Sequence, residues 1–323
     1  PKEHAEFWGE GVGAPGLTQI PPNELDRWII SELNNLVNSA TLLLENYNPT
    51  DAGRCIEEFV DGLSNWYVRR SRRRFWRSEN DEDKTWAYIT LYTCLLTLSK
   101  IIAPLTPFLA DEIFRNLSVE DDIESVHFAD YPIASKYLID DKLDRAVRLS
   151  MRIASLGRAA RSKAGIKVRQ PLAKAFANVR PEDRELIPMI EAQVLDELNV
   201  RSLEAAEDAA VVNVRLRPNL PILGPKYGKE IGRIKTELAS VDPFLIAAKV
   251  KAGEPIEIAG FSLNPDEILV DIEELPGLAV ALEDSIAVAI DTELTPELKL
   301  EGIAREIVHR LQELRKNANL DIA

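Results

Sequence analysis

A chain of 323 residues, 46% hydrophobic and 28% charged, has ordinary globular composition, which excludes wholesale disorder, and its length suits two or three domains. Its formal net charge of -14 opposes bulk attraction to nucleic acid or to an anionic membrane, so a polyanion would have to be met by a local concentration of cations. Cys55 and Cys94 stand alone and His4, His127 and His309 share no metal-ligand spacing, so neither a zinc site, a disulfide framework nor a bound metal is expected.

Residues 1–22 read as a linker, because "GEGVGAPG" and the pair Pro21 and Pro22 interrupt any continuous helix or central strand. Helical spacing starts at Asn23, with Leu25, Trp28, Ile29, Leu33, Leu36 and Val37 on one stripe, and lasts until "ENYNPT". After Pro49 a second stripe of Ile56, Phe59, Val60, Leu63 and Tyr67 predicts a helix that ends in "RRSRRRFW". A third helix, 84–103, is apolar around most of its circumference and belongs at the centre of a bundle. Thr106 and Pro107 open a fourth. Four long helices with short connections predict an α-helical bundle over 23–135.

The pattern then changes. A helix over about 140–164 precedes a strand in "LAKAFANV", a helix in "ELIPMIEAQVLDELN" and a strand in "VVNVRLRP". Helices are predicted over 226–240 and 242–252, strands over 256–263, 268–273, 278–283 and 286–291, and a last helix from Thr295 to about Asn317. This mixture predicts an α+β C-terminal region over 136–323. The halt at "NLDIA" reads as a piece cut from a longer polypeptide. No apolar run approaching a bilayer span stands out, and "PKEHAEFWGEG" lacks the plan of a secretion signal, so a cytoplasmic protein without membrane attachment is expected.

No catalytic centre is legible. "GPKYGKE", Gly224 to Glu230, has the wrong spacing for a phosphate loop and reads as a turn before a helix, and no nucleophile, acid–base pair or metal-spaced acid cluster appears. The basic tracts remain. Six arginines occupy the nine positions from Arg69 to Arg77, and between Arg145 and Pro181 ten Lys or Arg occur without one acid. On a helical wheel Arg70 and Arg74 share the stripe of Ile56, Leu63 and Tyr67, and therefore need carboxylate partners, with Asp61, Asp111 and Glu112 as candidates. Arg69, Arg72 and Arg73 point away, and with Arg77 they form an outward set. Most charge runs are solvated faces paired with nearby acids, here "ENDED" at 79–83. Arginine without lysine, interleaved with Trp66, Tyr67, Phe75 and Trp76, instead favours phosphate contact and base stacking. The second tract offers Arg158, Arg161, Lys163, Lys167 and Arg169 around a helix end and its turn.

"LDRWIISELN", "NWYVRRSRRRFW", "IIAPLTPFLADEIFRNL", "SVHFADYP", "GRAARSKAGIKVRQPL", "LGPKYGK" and "EGIAREIVHRLQELRKNANLDI", in that order, resemble the region after the catalytic core of isoleucyl-tRNA synthetases. The later strings look most like the form shared by archaea, eukaryotic cytosol and some bacteria. The resemblance implies a class Ia anticodon-binding bundle whose partners are tRNA for isoleucine and the catalytic and editing domains of the same monomeric polypeptide. It also implies that ATP and magnesium serve the whole enzyme, while this chain carries no cofactor and is inactive alone. The same region of a valyl or leucyl enzyme, or a helical scaffold that docks protein partners without RNA, is the alternative.

Overall fold

The computed structural model describes residues 8–9, 16–17, 20–76, 82–118, 123–205, 212–241, 243–283, 286–318 and 320. Two compact units make up the chain, Pro1–Arg145 and Ala146–Ala323. In the stretch read as linker, Trp8–Gly9 (β1) pairs antiparallel with Gly16–Leu17 (β2).

In the first unit α1 spans Glu24–Glu45. Asn23 caps it, its Oδ1 accepting from the Leu25 amide at 2.9 Å, and Glu24 and Asp26 place negative charge against the exposed amides of the first turn. Trp28, Ile29, Leu33, Leu36, Val37 and Ala40 form its buried stripe. Asn48 and Pro49 start α2, Pro49–Asp61, which runs on through a π-helical segment, Gly62–Val68, into α3, Arg69–Trp76. Of the eight residues of α3 only Ser71 and Arg74 are buried. α4, Glu82–Ile102, buries residues on every side. By length and composition it is apolar enough to cross a membrane, which corrects the sequence reading, and 61% of its most apolar window is buried within the protein. α5, Pro107–Leu117, starts at the proline as expected, although the Thr106 hydroxyl donates back to the Ile102 carbonyl at 3.4 Å and does not cap the new helix. Ser31 Oγ and Asn35 Nδ2 donate to Asp144 at 2.7 and 2.8 Å, tying α1 to the first turn of α6, Asp141–Lys163, inside which the unit boundary falls.

The second unit is α+β. β3 (Leu172–Asn178) and β4 (Val200–Ala205) lie parallel, joined through α7 (Ile187–Leu198), with Leu172 opposite Val200. β10 (Ile286–Asp291) pairs antiparallel with β3 on one side and with β9 (Leu278–Glu283) on the other, giving the order β4-β3-β10-β9. β10 is central and alternates by size: Ile286, Val288 and Ile290 pack with Ile153, Leu156, Ile190 and Val194 of α6 and α7, while Ala287 and Ala289 meet Val280 and Ala247 on the other face. Gly157 of α6 permits close approach of α7, since a Cβ there would lie 2.4 Å from Leu198 Cδ1.

A satellite core joins α8 (Leu220–Tyr227), α9 (Ile231–Leu238) and α10 (Pro243–Ala252) to the antiparallel pairs β5 (Val212–Pro218) with β8 (Ile268–Glu274) and β6 (Ile256–Ile258) with β7 (Phe261–Leu263). The strand expected over 256–263 is therefore a hairpin, turned by Ala259 and Gly260 at φ 53° and 82°. "GPKY" is the end of α8, and not a turn before a helix. α11, Pro296–Asn317, starts at Thr295, whose Oγ1 accepts from the Leu298 amide at 3.3 Å.

Candidate nucleic-acid interface

The arginine run divides by depth. Arg74 is 7% exposed, and its guanidinium grips Asp26 with both ends, Nη1 to Oδ1 at 2.7 Å and Nη2 to Oδ2 at 2.6 Å. Nη2 also reaches Asp83 Oδ1 at 2.9 Å and the Asp83 carbonyl at 3.0 Å, while the Tyr67 hydroxyl donates to Asp26 Oδ1 at 2.6 Å. Burial opposes the charge on Arg74, but the hydrogen bonds and charge of Asp26 outweigh it and hold the guanidinium above its ordinary value. Burial, then Asp26, also pushes the Tyr67 phenol up. The carboxylates that meet Arg74 are Asp26 and Asp83, and not Asp61, Asp111 or Glu112. Asp111 is engaged by Ser125 Oγ at 2.6 Å and Arg115 at 2.8 Å. Arg74 thus fixes α3 to the starts of α1 and α4.

Arg70 is half-buried with its guanidinium 5.3 Å from the Trp66 ring centroid, a cation–π arrangement. Arg69 lies exposed, 5.7 Å from the same ring, its Nε donating to the Asn65 carbonyl at 2.8 Å. Arg72 and Arg73 are exposed, with no ion-pair or hydrogen-bond partner among the described residues, and Trp76 beside them is 82% exposed. Phe75 is half-buried instead, edge-on to Tyr88 at 5.2 Å. Arg77 lies outside the described residues.

The second tract differs from its reading at Arg161. This side chain is 1% exposed and donates to three backbone carbonyls, those of Lys167 and Gln170 at 3.0 Å and of Asn199 at 3.2 Å. It cannot touch a ligand; it braces the loop after α6 from within. Burial pushes its guanidinium down to about 10, which leaves it charged at neutral pH. Asn199, in the left-handed conformation at φ 50°, assists by donating to the carbonyls of Val168 and Arg169 at 2.9 and 3.2 Å. Arg158 is tied to Glu197 at 3.0 Å, Lys163 is exposed at the end of α6, and Lys167 and Arg169 reach Glu306 of α11 at 3.6 and 3.1 Å.

Sequence reasoning missed Asp26, whose place in a first helical turn reads only as a favourable dipole contact. Lys226 of "GPKYGKE" is committed to the buried Glu267 at 2.6 Å, and no group of three or more His, Cys, Asp or Glu among the described residues could hold an ion.

Residues 26–176, which contain α3, the loop braced by Arg161 and much of the network beneath the arginines, match the model of the anticodon-binding domain of tRNA ligase. This segment belongs to that class of domain. Over nearly its full length the chain is a relative of isoleucine–tRNA ligases: it is 44% identical over 304 residues to that of Dehalococcoides mccartyi (strain CBDB1), with 93% of the chain covered. It is 41% identical over 317 residues to the enzyme of Deinococcus radiodurans, covering 96%, and 39% identical over 312 residues to that of Clostridium acetobutylicum, covering 94%. The chain spans 24%, 29% and 30% of the length of these three relatives.

Proposed function

We propose that this chain is the tRNA-gripping portion of an isoleucine-specific aminoacyl-tRNA ligase, and that α3 lies against the sugar-phosphate backbone of the anticodon stem-loop of tRNA for isoleucine. The observation that carries the proposal is the exposed pair Arg72 and Arg73, unpartnered among the described residues, on a helix fixed from beneath by Arg74 and inside a segment matched by an anticodon-binding family. Arg69 flanks that pair, and Trp76 offers a stacking face worth about 1–3 kcal/mol per base. Lys163, Lys167 and Arg169 hold a neighbouring stretch of backbone, joined by Arg158 when it leaves Glu197. Phosphate contacts supply affinity, and discrimination comes from unstacked loop bases. In the whole ligase, activation of isoleucine with ATP and magnesium and its transfer to tRNA belong to catalytic and editing domains of the same cytoplasmic, monomeric polypeptide.

The test is a filter-binding titration of this chain with tRNA for isoleucine and with an unrelated tRNA at several salt concentrations. Preference for the first is expected, and Arg72→Ala with Arg73→Ala should flatten the salt dependence by about 0.7–0.9 log units for each phosphate released. Equal weak binding of both tRNAs, or an unchanged slope in the double variant, refutes the assignment.

A further inference from the structure

The fold of the second unit gathers cations that are far apart in sequence. Lys167 and Arg169 of the loop braced by Arg161 meet Arg310 of α11 at a single carboxylate, Glu306, at 3.6, 3.1 and 3.5 Å. Next to them Glu301, one turn earlier on α11, pairs with Arg305 at 2.8 Å and with Arg201 of β4. Arg305 is held further by its bond to Asn199 Oδ1 at 2.8 Å, the residue that also ties down the loop. Five cations thus share two carboxylates among the described residues, an excess of three positive charges in a chain whose net charge is -14.

The two signs lie in layers. Glu301 and Glu306 are 30% and 31% exposed, whereas Arg305 and Arg169 are 46%, Arg201 is 60%, Arg310 69% and Lys167 71% exposed. An approaching anion meets guanidinium and ammonium groups first. Hydrogen bonding from Arg169, followed by the charges of Lys167 and Arg310, holds the Glu306 carboxyl below its ordinary value, so it stays charged at neutral pH. Four of the five cations are arginines, whose planar fork fits phosphate oxygens in pairs.

We infer that this cluster of Lys167, Arg169, Arg201, Arg305 and Arg310 is a second RNA-backbone contact surface, in which Glu306 occupies the place of a phosphate until one arrives. The inference rests on the proposed tRNA binding and extends it to α11 and β4, elements outside the matched segment. Its mechanism is exchange. A phosphate takes over the cations that Glu306 shares, and the internal carboxylate is the competitor that weakens the complex.

That competition gives the test a sign that a merely structural cluster would not produce. With the full chain and tRNA for isoleucine, Glu306→Gln should steepen the salt dependence by roughly 0.7–0.9 log units for each additional phosphate engaged, and tighten binding about threefold at 50 mM relative to 200 mM salt. Lys167→Ala with Arg310→Ala, at positions more than two-thirds exposed, should flatten the slope with an unchanged melting temperature. If Glu306→Gln and the double variant both leave the slope as it was while Arg72→Ala with Arg73→Ala still flattens it, this surface is refuted and α3 stands. If no arginine variant changes binding, the underlying tRNA reading fails and this inference falls with it. A polyglutamate peptide that binds the chain, and binds more tightly after Glu306→Gln as RNA does, would assign the cluster to an acidic protein partner and overturn the proposal.

Discussion

Replacing Arg74 by methionine keeps most of the aliphatic stem and removes the charge. Asp26 is 0% exposed and accepts two bonds from Arg74 at 2.6 and 2.7 Å; afterwards, among the described residues, it keeps the Tyr67 hydroxyl at 2.6 Å. Breaking a buried ion pair by removing one partner costs about 3–5 kcal/mol, because the other charge stays behind in a medium that solvates it poorly. The bonds to the Asp83 carboxylate and carbonyl go as well, so the start of α4 no longer holds α3. α3 is the last eight residues of the helical run that starts at Pro49 and buries only Ser71 and Arg74, so without those bonds little tertiary contact keeps this end from fraying. Urea unfolding followed by tryptophan fluorescence should show a loss of about 3–5 kcal/mol in the first unit, and hydrogen exchange should show protection lost first at 69–76. The double variant Asp26→Leu with Arg74→Met should recover more than half of the loss, since an apolar replacement of a buried pair is often nearly neutral and the Tyr67 hydroxyl retains the Ala87 carbonyl at 3.3 Å. A loss below about 1 kcal/mol in the single variant, the range of a solvent-exposed pair, refutes the claim that this pair fixes α3.

Gly157→Ala forces a methyl to within 2.4 Å of Leu198 Cδ1 and should destabilise the second unit by about 1–3 kcal/mol, read as a lowered melting temperature. Glu267 is buried, which alone would raise its pKa, but the hydrogen bonds from Lys226 and the Asn264 amide outweigh burial and bring it below its ordinary 4.5. A depressed carboxyl contributes stability above its unfolded pKa and loses it as pH falls through the folded value, so the module of β5 and β8 should weaken below about pH 4.5, and Glu267→Gln should remove that acid-dependent part in a pH-resolved melting series. Arg161→Met strands three backbone carbonyls and should raise hydrogen exchange over 164–171; unchanged exchange there would deny Arg161 its bracing role.

Much of the helical unit was legible because its signals are local. Asn23, Pro49 and Pro107 mark helix starts by side-chain and ring chemistry that acts within a turn, and the stripe of Trp28, Ile29, Leu33 and Leu36 follows the 3.6-residue period. The wheel separated Arg74 from Arg72 and Arg73 correctly by depth, even across the π-helical segment. The partner was another matter. Asp26 is 48 positions from Arg74, and any acid at the right height on a neighbouring helix satisfies the same requirement. β4 was missed because "VRSLEA" has only Val200 and Leu203 buried, too weak an alternation to announce a strand; its pairing to β3 comes from the crossover through α7.

The two buried arginines show why a basic tract cannot be read by counting. Arg74 is neutralised by a carboxylate at bonding distance, so its charge adds little to the field outside, and its contribution to an interface is the position of its neighbours. Arg161 gives its Nη1 and Nη2 hydrogens to carbonyl dipoles and meets no carboxylate in these bonds, so its full charge remains under the loop that carries Lys167 and Arg169. A guanidinium solvated by carbonyls donates its hydrogen bonds without being neutralised, and partial burial weakens screening by salt. Under the proposed RNA binding, the role left to Arg161 is to act on the polyanion at a distance. It adds positive potential beneath a loop whose exposed cations are already shared among too few carboxylates. Removal of Arg161 should accordingly weaken RNA binding even in a variant where the loop is held in place by other means, whereas removal of Arg74 should weaken it only through the disorder of α3.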